Sequence, residues 1–271
     1  MPELPEVETT CRGITPHIDG QCVSDVIVRH HQLRWPVPRG LKKKLLDHKI
    51  QSVSRRAKYL LLDFDHGTLI LHLGMSGSLR IIKTNTPAEK HDHLDIVFNN
   101  GNTLRLTDPR RFGAVLWTKD NPEQHELLAH LGPEPLSDAF SSELLYQLSR
   151  SRGTSIKQFI MDGKVVVGVG NIYASESLYL AGIHPKRRAG RISLMRYAGL
   201  VEAVREVLKG AIAAGGTTLR DFVDSDGKPG YVAQKLRVYG RQNEACERCG
   251  EPIRNRVIGQ RSTYYCPCCQ R

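Results

Sequence analysis

Two cysteine pairs near the C-terminus, Cys246-x-x-Cys249 and Cys266-x-x-Cys269, constrain this chain more than any other stretch. Sixteen residues separate them, a spacing that lets four thiolates meet at the corners of a tetrahedron with a β-hairpin between them. That pattern points to a structural zinc ribbon. Sulfur at all four positions leaves none open for a substrate, so the metal is not catalytic. The run Cys266-Pro267-Cys268-Cys269 offers two candidates for the last ligand, and the x-x spacing favours Cys269 because it matches the first knuckle. A redox pair or disulfides are the competing readings. An odd total of seven cysteines, five of them clustered at one end, does not read as a secreted disulfide framework. Between the knuckles lie Arg254, Arg256 and Arg261. Their planar forks suit phosphate oxygens, and the plain alternative is a solvated charged loop.

The chain ahead of this ribbon changes character near residue 122. From Glu3 to about Ile18 the apolar spacing is loosely helical. Short apolar runs follow at Val23–Arg29, Ile50–Ser54, Tyr59–Phe64, Thr68–Leu73, Leu79–Ile82, Leu94–Phe98, Thr103–Thr107 and Ala114–Thr118, broken by turns such as Asp65-His66-Gly67 and Asn99-Asn100-Gly101-Asn102. Many short strands with Gly and Asn punctuation predict a sandwich or barrel-like β domain. Beyond it, Pro122–Leu131, Ser141–Leu148, Ser155–Met161, Ile172–Ala181 and Leu194–Ala214 follow a period near 3.6 and predict helices. Residues 215–230 are too polar and glycine-rich for core and read as a functional loop. The resulting division is 1–121 for the β domain, 122–235 for the helical domain and 236–271 for the zinc hairpin.

With 271 residues and 40% hydrophobic content, the chain can build real cores. Lysine and arginine exceed acids by 39 to 28, a formal charge of +11, which argues for a polyanionic partner such as nucleic acid. No apolar run approaches the ~18 residues of a membrane span. The first ten residues are acidic and lack an apolar core, unlike a secretory leader. A cytoplasmic location is expected.

Two local features carry chemistry. The chain starts Met1-Pro2-Glu3, and removal of Met1 would expose a secondary amine on Pro2. An α-amine titrates near pH ~8, so part of it is a nucleophile at neutrality, able to hold a carbonyl-like carbon as an iminium. Glu3 beside it is a candidate proton donor. A frayed terminus is the bland alternative. The second feature is Gly168-Val169-Gly170-Asn171, a tight turn into a helix, where backbone amides attract anions. A simple helix-start turn would look the same.

Taken together, these residues resemble the formamidopyrimidine-DNA glycosylases, enzymes that excise oxidised purines such as 8-oxoguanine. The resemblance covers essentially the whole chain. It rests on PELPEVE at the start, RRAKYLLL around Lys58, HLGMSGSLR around Met75, KHDH at His91, TDPRRFG around Arg110, VGVGNIYASE around Asn171, then GGTTLRDF, SDGKPGY, VYGR and the two knuckles. It implies an α+β chain: an N-terminal β-sandwich, a helix–two-turn–helix domain and a C-terminal zinc-ribbon β-hairpin, with DNA in the cleft between domains. It implies one structural Zn2+ on Cys246, Cys249, Cys266 and Cys269, no catalytic cofactor, a monomer, and duplex DNA with oxidised bases or abasic sites as partner. Association with the nucleoid would follow from DNA binding.

The resemblance also assigns roles. Pro2 attacks the anomeric carbon of the damaged nucleotide, the base departs, and β- then δ-elimination cleaves the strand. Glu3 protonates the opening sugar, which calls for a desolvated carboxyl. Lys58 holds a phosphate next to the lesion or assists proton transfer. Arg261 grips phosphates flanking the flipped nucleotide and is also written as a proton donor. His91, Arg110 and Arg152 bind DNA, with Lys157 and Asn171 as further phosphate contacts. A stacked base cannot react, so it must be extruded, and Met75, Arg110 and Phe112 match the wedge that fills the hole. The 215–230 loop is the candidate for reading the damaged base. Two rivals remain: an endonuclease VIII-like glycosylase for oxidised pyrimidines, and a non-catalytic zinc-ribbon DNA-binding protein.

Overall fold

The computed structural model describes residues 2–215 and 236–271. The expected lesion-reading loop, beyond Gly215, lies outside the described residues. The described chain divides into two compact units, residues 2–129 with 214–215 and residues 130–213 with 236–271.

The first unit opens with helix α1, Leu4–Ile18. Leu4, Val7, Cys11, Ile14 and Ile18 recur at helical spacing and are all buried. Pro5 sits in the first turn, where its missing N–H costs nothing. Glu3 and Glu6 form a reciprocal capping box, in which the Glu6 carboxylate accepts the Glu3 N–H at 2.7 Å. Strand β1 (Val23–Val28) and the short helix α2 (Leu41–Leu45) follow. Next come β2 (Ser52–Arg56), β3 (Tyr59–Phe64), β4 (Gly67–His72), β5 (Ser78–Lys83), β6 (Asp92–Phe98), β7 (Asn102–Thr107) and β8 (Ala114–Thr118).

These strands build two antiparallel four-stranded sheets, ordered β1-β6-β7-β5 and β2-β3-β4-β8. One continuous core joins them, with Leu60, Leu62 and Leu71 from one sheet packed with Ile96, Leu104 and Leu106 from the other. Each such side chain contributes roughly 1.5–3 kcal/mol on burial. The sheets therefore form a sandwich, and α1 packs along it against β2, β3, β5 and β7.

In the second unit, α3 (Ser142–Ser149) and α4 (Ile156–Met161) begin at serine caps. Ser141 accepts the Leu144 N–H and Ser155 accepts the Gln158 N–H. Helices α5 (Asn171–Leu180) and α6 (Leu194–Ala213) pack against each other, and α3 also packs on α6. The hairpin of β9 (Arg254–Ile258) and β10 (Arg261–Tyr265) packs on α5. Its two-residue turn, Gly259-Gln260, has positive φ at both positions, the primed geometry that matches strand twist.

One expected helix is absent. Pro122–Leu131 forms only a single 3-10 turn at Pro122–Gln124, followed by turns that end at Gly132-Pro133. The segment closes i→i+3 bonds, such as Leu128 N–H to His125 O at 2.8 Å, and does not propagate them into an α-helical ladder. Among the described residues no helix is long and apolar enough to cross a membrane.

Candidate functional site

Pro2 is buried and directly precedes the cap of α1, and Glu3 is only 3% exposed. The outer face of α1 is tied to the β2–β3 turn. Arg55 donates from Nε to Glu8 at 2.7 Å and from Nη1 to the Ala57 carbonyl at 2.8 Å. Burial alone would raise the Glu8 carboxyl, but Arg55 and Arg12 more than offset it and hold it below the ordinary carboxylate range. Ala57 has φ +55, so this turn reverses the chain in two residues and places Lys58 at its second position. Lys58 is therefore a half-buried turn residue next to a strand and not a residue within one.

The same end of the β3–β4 hairpin carries His72, paired with Tyr59 and tilted against its ring, with centroids 4.8 Å apart. Burial, then the positive charges of Lys58 and Arg34, push His72 down to about 4. It is neutral at neutral pH, and its Nδ1 accepts the Gly74 N–H at 3.1 Å. That bond fixes the start of the turn that carries Met75.

Met75 and the Arg110–Phe112 segment lie on two turns in direct backbone contact. A Cβ on Gly74 would fall 2.3 Å from the Phe112 carbonyl carbon, and its φ is +64, so glycine is required there twice over. Asp108, fully buried, pins both turns. Its carboxylate accepts the Ser76 hydroxyl at 3.1 Å, the Arg110 N–H at 3.3 Å and the Gly113 N–H at 2.7 Å. Its carbonyl accepts His93 Nε2 at 2.8 Å, and its own N–H donates to the His91 carbonyl at 3.0 Å. The turns of Met75 and of Arg110 and Phe112 are thus organised around one carboxylate, and the backbone N–H of the same residue holds His91. Phe112 is 43% exposed, with the Arg110 guanidinium 5.0 Å from its ring centroid. The Phe112 ring is thus presented to solvent beside the Arg110 guanidinium, on turns that Asp108 pins.

His91 has a second support. Buried Arg105 donates to the carbonyls of Thr86 and Pro87, both at 2.9 Å, and to Asp92 and Asp95. This holds the loop leading to His91 onto β7.

In the second unit, Lys157 and Asn171 converge on the zinc hairpin. Lys157 is 1% exposed, and its ammonium donates to Asn171 Oδ1 at 2.6 Å, Thr263 Oγ1 at 2.8 Å and the Ser262 carbonyl at 3.1 Å. An ammonium has three N–H groups, and protein acceptors engage all of them. Lys157 therefore holds Asn171 and the residues beside Arg261. Asn171 Nδ2 donates in turn to the Ser262 carbonyl at 3.0 Å and to the Tyr239 hydroxyl at 3.3 Å. Arg261 itself is exposed at the start of β10. Arg152 belongs to another part of this unit, after α3, with its guanidinium 4.0 Å from Asp162.

The four thiolates Cys246, Cys249, Cys266 and Cys269 gather within 4.8 Å of one another. Cys246 and Cys269 sulfurs are 3.9 Å apart, and those of Cys249 and Cys266 3.5 Å. A Zn–S distance of 2.3 Å in a tetrahedron requires about 3.8 Å between sulfurs, so the donor set fits zinc. Cys268 is exposed and outside the group, in keeping with Cys269 as the last ligand. The knuckles are held to α5: Tyr179 lies 3.2 Å from the Cys246 sulfur, and Gln270 accepts the Cys266 N–H and donates to the Ile183 carbonyl.

The comparisons with known proteins agree along the whole chain. The model of the formamidopyrimidine-DNA glycosylase N-terminal domain matches residues 1–115, and the H2TH domain model of the same glycosylases matches residues 131–223. The chain belongs to the formamidopyrimidine-DNA glycosylase family. A zinc finger found in FPG and IleRS matches residues 243–271, in keeping with a structural zinc. The formamidopyrimidine-DNA glycosylases of Syntrophotalea carbinolica and Methylococcus capsulatus are each 60% identical over 271 residues, covering all of both chains. Among solved structures, a Lactococcus lactis Fpg complexed with DNA containing N7-benzyl-Fapy-dG superposes with a TM-score of 0.91 at 36% identity, covering all of both chains. The Thermus thermophilus MutM (Fpg) protein does so at 0.88 and 36%, covering 99% of this chain and 98% of that one. The chain is thus a DNA glycosylase of base-excision repair, and the rival readings are not favoured.

Three organising residues of this glycosylase carry no role in the sequence reading. Asp108 precedes Pro109 and accepts the N–H two residues on, a local turn signal that sequence could have shown. His72 offers no such signal, because its neutrality depends on burial. Glu176, 4% exposed, accepts the N–H groups of Arg237, Val238 and Tyr239 at 2.9, 3.0 and 2.9 Å, partners more than sixty residues away.

Proposed function

We propose that this chain removes oxidised purines from duplex DNA and then cleaves the strand by β- and δ-elimination, with Pro2 as nucleophile once Met1 is removed. The Pro2 nitrogen forms a bond to C1′ as the glycosidic bond breaks. The ring oxygen takes a proton from Glu3 as the sugar opens, and an iminium links sugar to protein. That cation acidifies the C2′ proton, so the 3′ phosphate leaves and the 5′ phosphate follows. A single nitrogen serves as nucleophile and electron sink. The burial of Glu3 suits a carboxyl that must carry a proton when the sugar opens.

Lys58, Arg261, His91, Arg110, Arg152 and Asn171 engage DNA phosphates or bases in this reading. Met75, Arg110 and Phe112 fill the space of the extruded nucleotide. Lys157 acts through Asn171. Residues 1–121 supply the catalytic part, 122–235 the helical DNA-binding part and 236–271 the zinc finger, and DNA binding associates the protein with the nucleoid. The relatives support the partner: a Lactococcus lactis Fpg mutant has been solved with DNA containing Fapy-dG, and Lactococcus lactis Fpg with DNA containing an abasic site. The observation that carries the reading is the pinning of Met75, Arg110 and Phe112 onto two touching turns by the single buried carboxylate of Asp108.

Borohydride trapping on an 8-oxoguanine duplex tests it. Wild type gives a covalent adduct, and Pro2→Gly with Met1 retained gives none. Absence of an adduct with wild type would overturn the nucleophile assignment. Preferential cleavage of a dihydrouracil duplex would move the substrate to oxidised pyrimidines.

A further inference from the structure

Among the described residues, two groups of three or more metal-ligating side chains converge. One is the four-cysteine site. The other is His48, Asp65 and His66, whose ligand atoms lie within 4.8 Å of one another. Asp65 and His66 form the turn between β3 and β4, and His48 lies in the connection from α2 to β2. The turn is pressed against β8: a Cβ on Gly67 would meet Thr118 O and the Trp117 ring at 2.5 Å. This is the end of the hairpin opposite Lys58 and His72. The six residues of β3 span roughly 17 Å, so the cluster is remote from the proposed chemistry.

The hydrogen-bond pattern calls for positive charge, a proton or a metal ion, between these groups. His66 Nε2 is 2.8 Å from the Lys44 carbonyl, which can only accept, so Nε2 carries the hydrogen. In the neutral ring that leaves Nδ1 with its lone pair, and Nδ1 faces Asp65 Oδ1 at 2.6 Å. His48 Nδ1 faces the same oxygen at 3.1 Å, and the two imidazole centroids are 4.0 Å apart. Nitrogen lone pairs aimed at a carboxylate oxygen repel unless something positive lies between them. An imidazole whose far nitrogen donates to a backbone carbonyl is also the usual orientation of a histidine metal ligand. Metal–ligand bonds near 2.1 Å place tetrahedral ligands about 3.4 Å apart, so the cluster closes on an ion with shifts of about an ångström.

We propose that His48 Nδ1, His66 Nδ1 and Asp65 Oδ1 form a second metal site, for a zinc-like divalent cation with water completing its shell. Two imidazoles and a carboxylate suit zinc, copper or nickel better than magnesium or calcium. The ion would clamp the α2–β2 connection onto the β3–β4 turn. All three side chains reach solvent, being 37%, 61% and 33% exposed for His48, Asp65 and His66, so the ion has a path in.

The test uses tag-free protein with its cysteine site zinc-loaded and loose metal removed, titrated with zinc chloride. Wild type takes up one further zinc per chain. His48→Gln and His66→Gln each abolish that uptake, and Asp65→Asn weakens it. The glutamine introduced by His66→Gln keeps an N–H for the Lys44 carbonyl, so the turn itself is retained. As a second readout, copper(II) quenches Trp117, whose ring lies 5.2 Å from His66, in a Trp35→Phe background, and the quenching is lost on adding His66→Gln. No further zinc in wild type, or a further zinc that survives in the His48→Gln/His66→Gln double variant, overturns the proposal. The first result means that only a proton bridges these groups, and the second places the ion elsewhere.

Discussion

His72 links the hairpin end near Lys58 to the Met75 turn, and its neutrality gives that link a pH dependence. Burial first, then Lys58 and Arg34, lower it from 6.5 to about 4. A histidine depressed in the folded state binds fewer protons there than when unfolded, so stability falls as pH drops below 6.5 and levels off below about 4. Between about pH 7.5 and pH 5 this one ring removes about 2 kcal/mol from the first unit. His72→Phe keeps an aromatic ring against Tyr59 but leaves the Gly74 N–H without its acceptor, which costs about 1–3 kcal/mol at neutral pH. The variant has no titrating ring, so the gap between wild type and variant narrows by about 2 kcal/mol at pH 5. Both tryptophans of the chain, Trp35 and Trp117, lie in the first unit, so urea unfolding followed by tryptophan fluorescence reports it without the zinc hairpin. Taking the difference between the two proteins cancels the other titrating groups. A stability gap that stays constant from pH 7.5 to pH 5 refutes the assignment of His72 as a neutral acceptor.

Asp108→Asn turns an acceptor of three donors into a group with N–H of its own, and should destabilise the first unit by about 1–3 kcal/mol while lowering excision of a paired lesion more than cleavage of a preformed abasic site. Arg105→Met removes the buried arginine shared by Asp92 and Asp95, leaving Asp95 with Arg29 alone, and should cost about 3 kcal/mol in denaturant unfolding. Burial alone would raise Asp95, but Arg105 and Arg29 hold it below the ordinary carboxylate range. Wild type therefore keeps this stabilisation above the unfolded carboxyl value and loses it as pH falls through the folded one, and the variant should show a shallower acid slope. Cys249→Ser should release zinc and weaken binding to an abasic-site duplex, measured by fluorescence anisotropy, while leaving the borohydride adduct obtainable at high protein concentration.

Much of this architecture was legible because apolar periodicity reports local geometry. Tyr59–Phe64 and Ala114–Thr118 fall where the short apolar runs place them, and the serine caps of α3 and α4 mark their starts. Helix α2 escaped because five residues, Leu41–Leu45, are too few to show a period, and three consecutive lysines disguise its two buried leucines. Sheet order was not legible either, since β1 pairs with β6 and β5 with β7 through contacts distant in sequence. The site divides the same way. Side chains that meet solvent or a ligand, such as Arg110 and Phe112, can be matched to motifs. Lys157 shows the limit, because its burial and its three protein acceptors come from residues distant in sequence.

That division has a physical cause. A turn that presents an arginine or an aromatic ring to a partner exposes backbone N–H groups that need acceptors, and it cannot contribute much core to hold itself still. Here buried carboxylates supply both needs: Asp108 accepts from the Arg110 and Gly113 amides, and Glu176 from three amides in a row. A carboxylate does this better than an amide or hydroxyl, because its bonds to N–H groups are charge-assisted and it donates nothing in return. Each such acid must lie under the turn it serves and far from water, so its role depends on tertiary placement and not on sequence neighbours. The acids beneath the presenting turns, more than the basic residues upon them, therefore set how accurately this surface is held. Asp108→Asn or Glu176→Gln should therefore weaken binding to an abasic-site duplex, measured by fluorescence anisotropy, although both acids are buried.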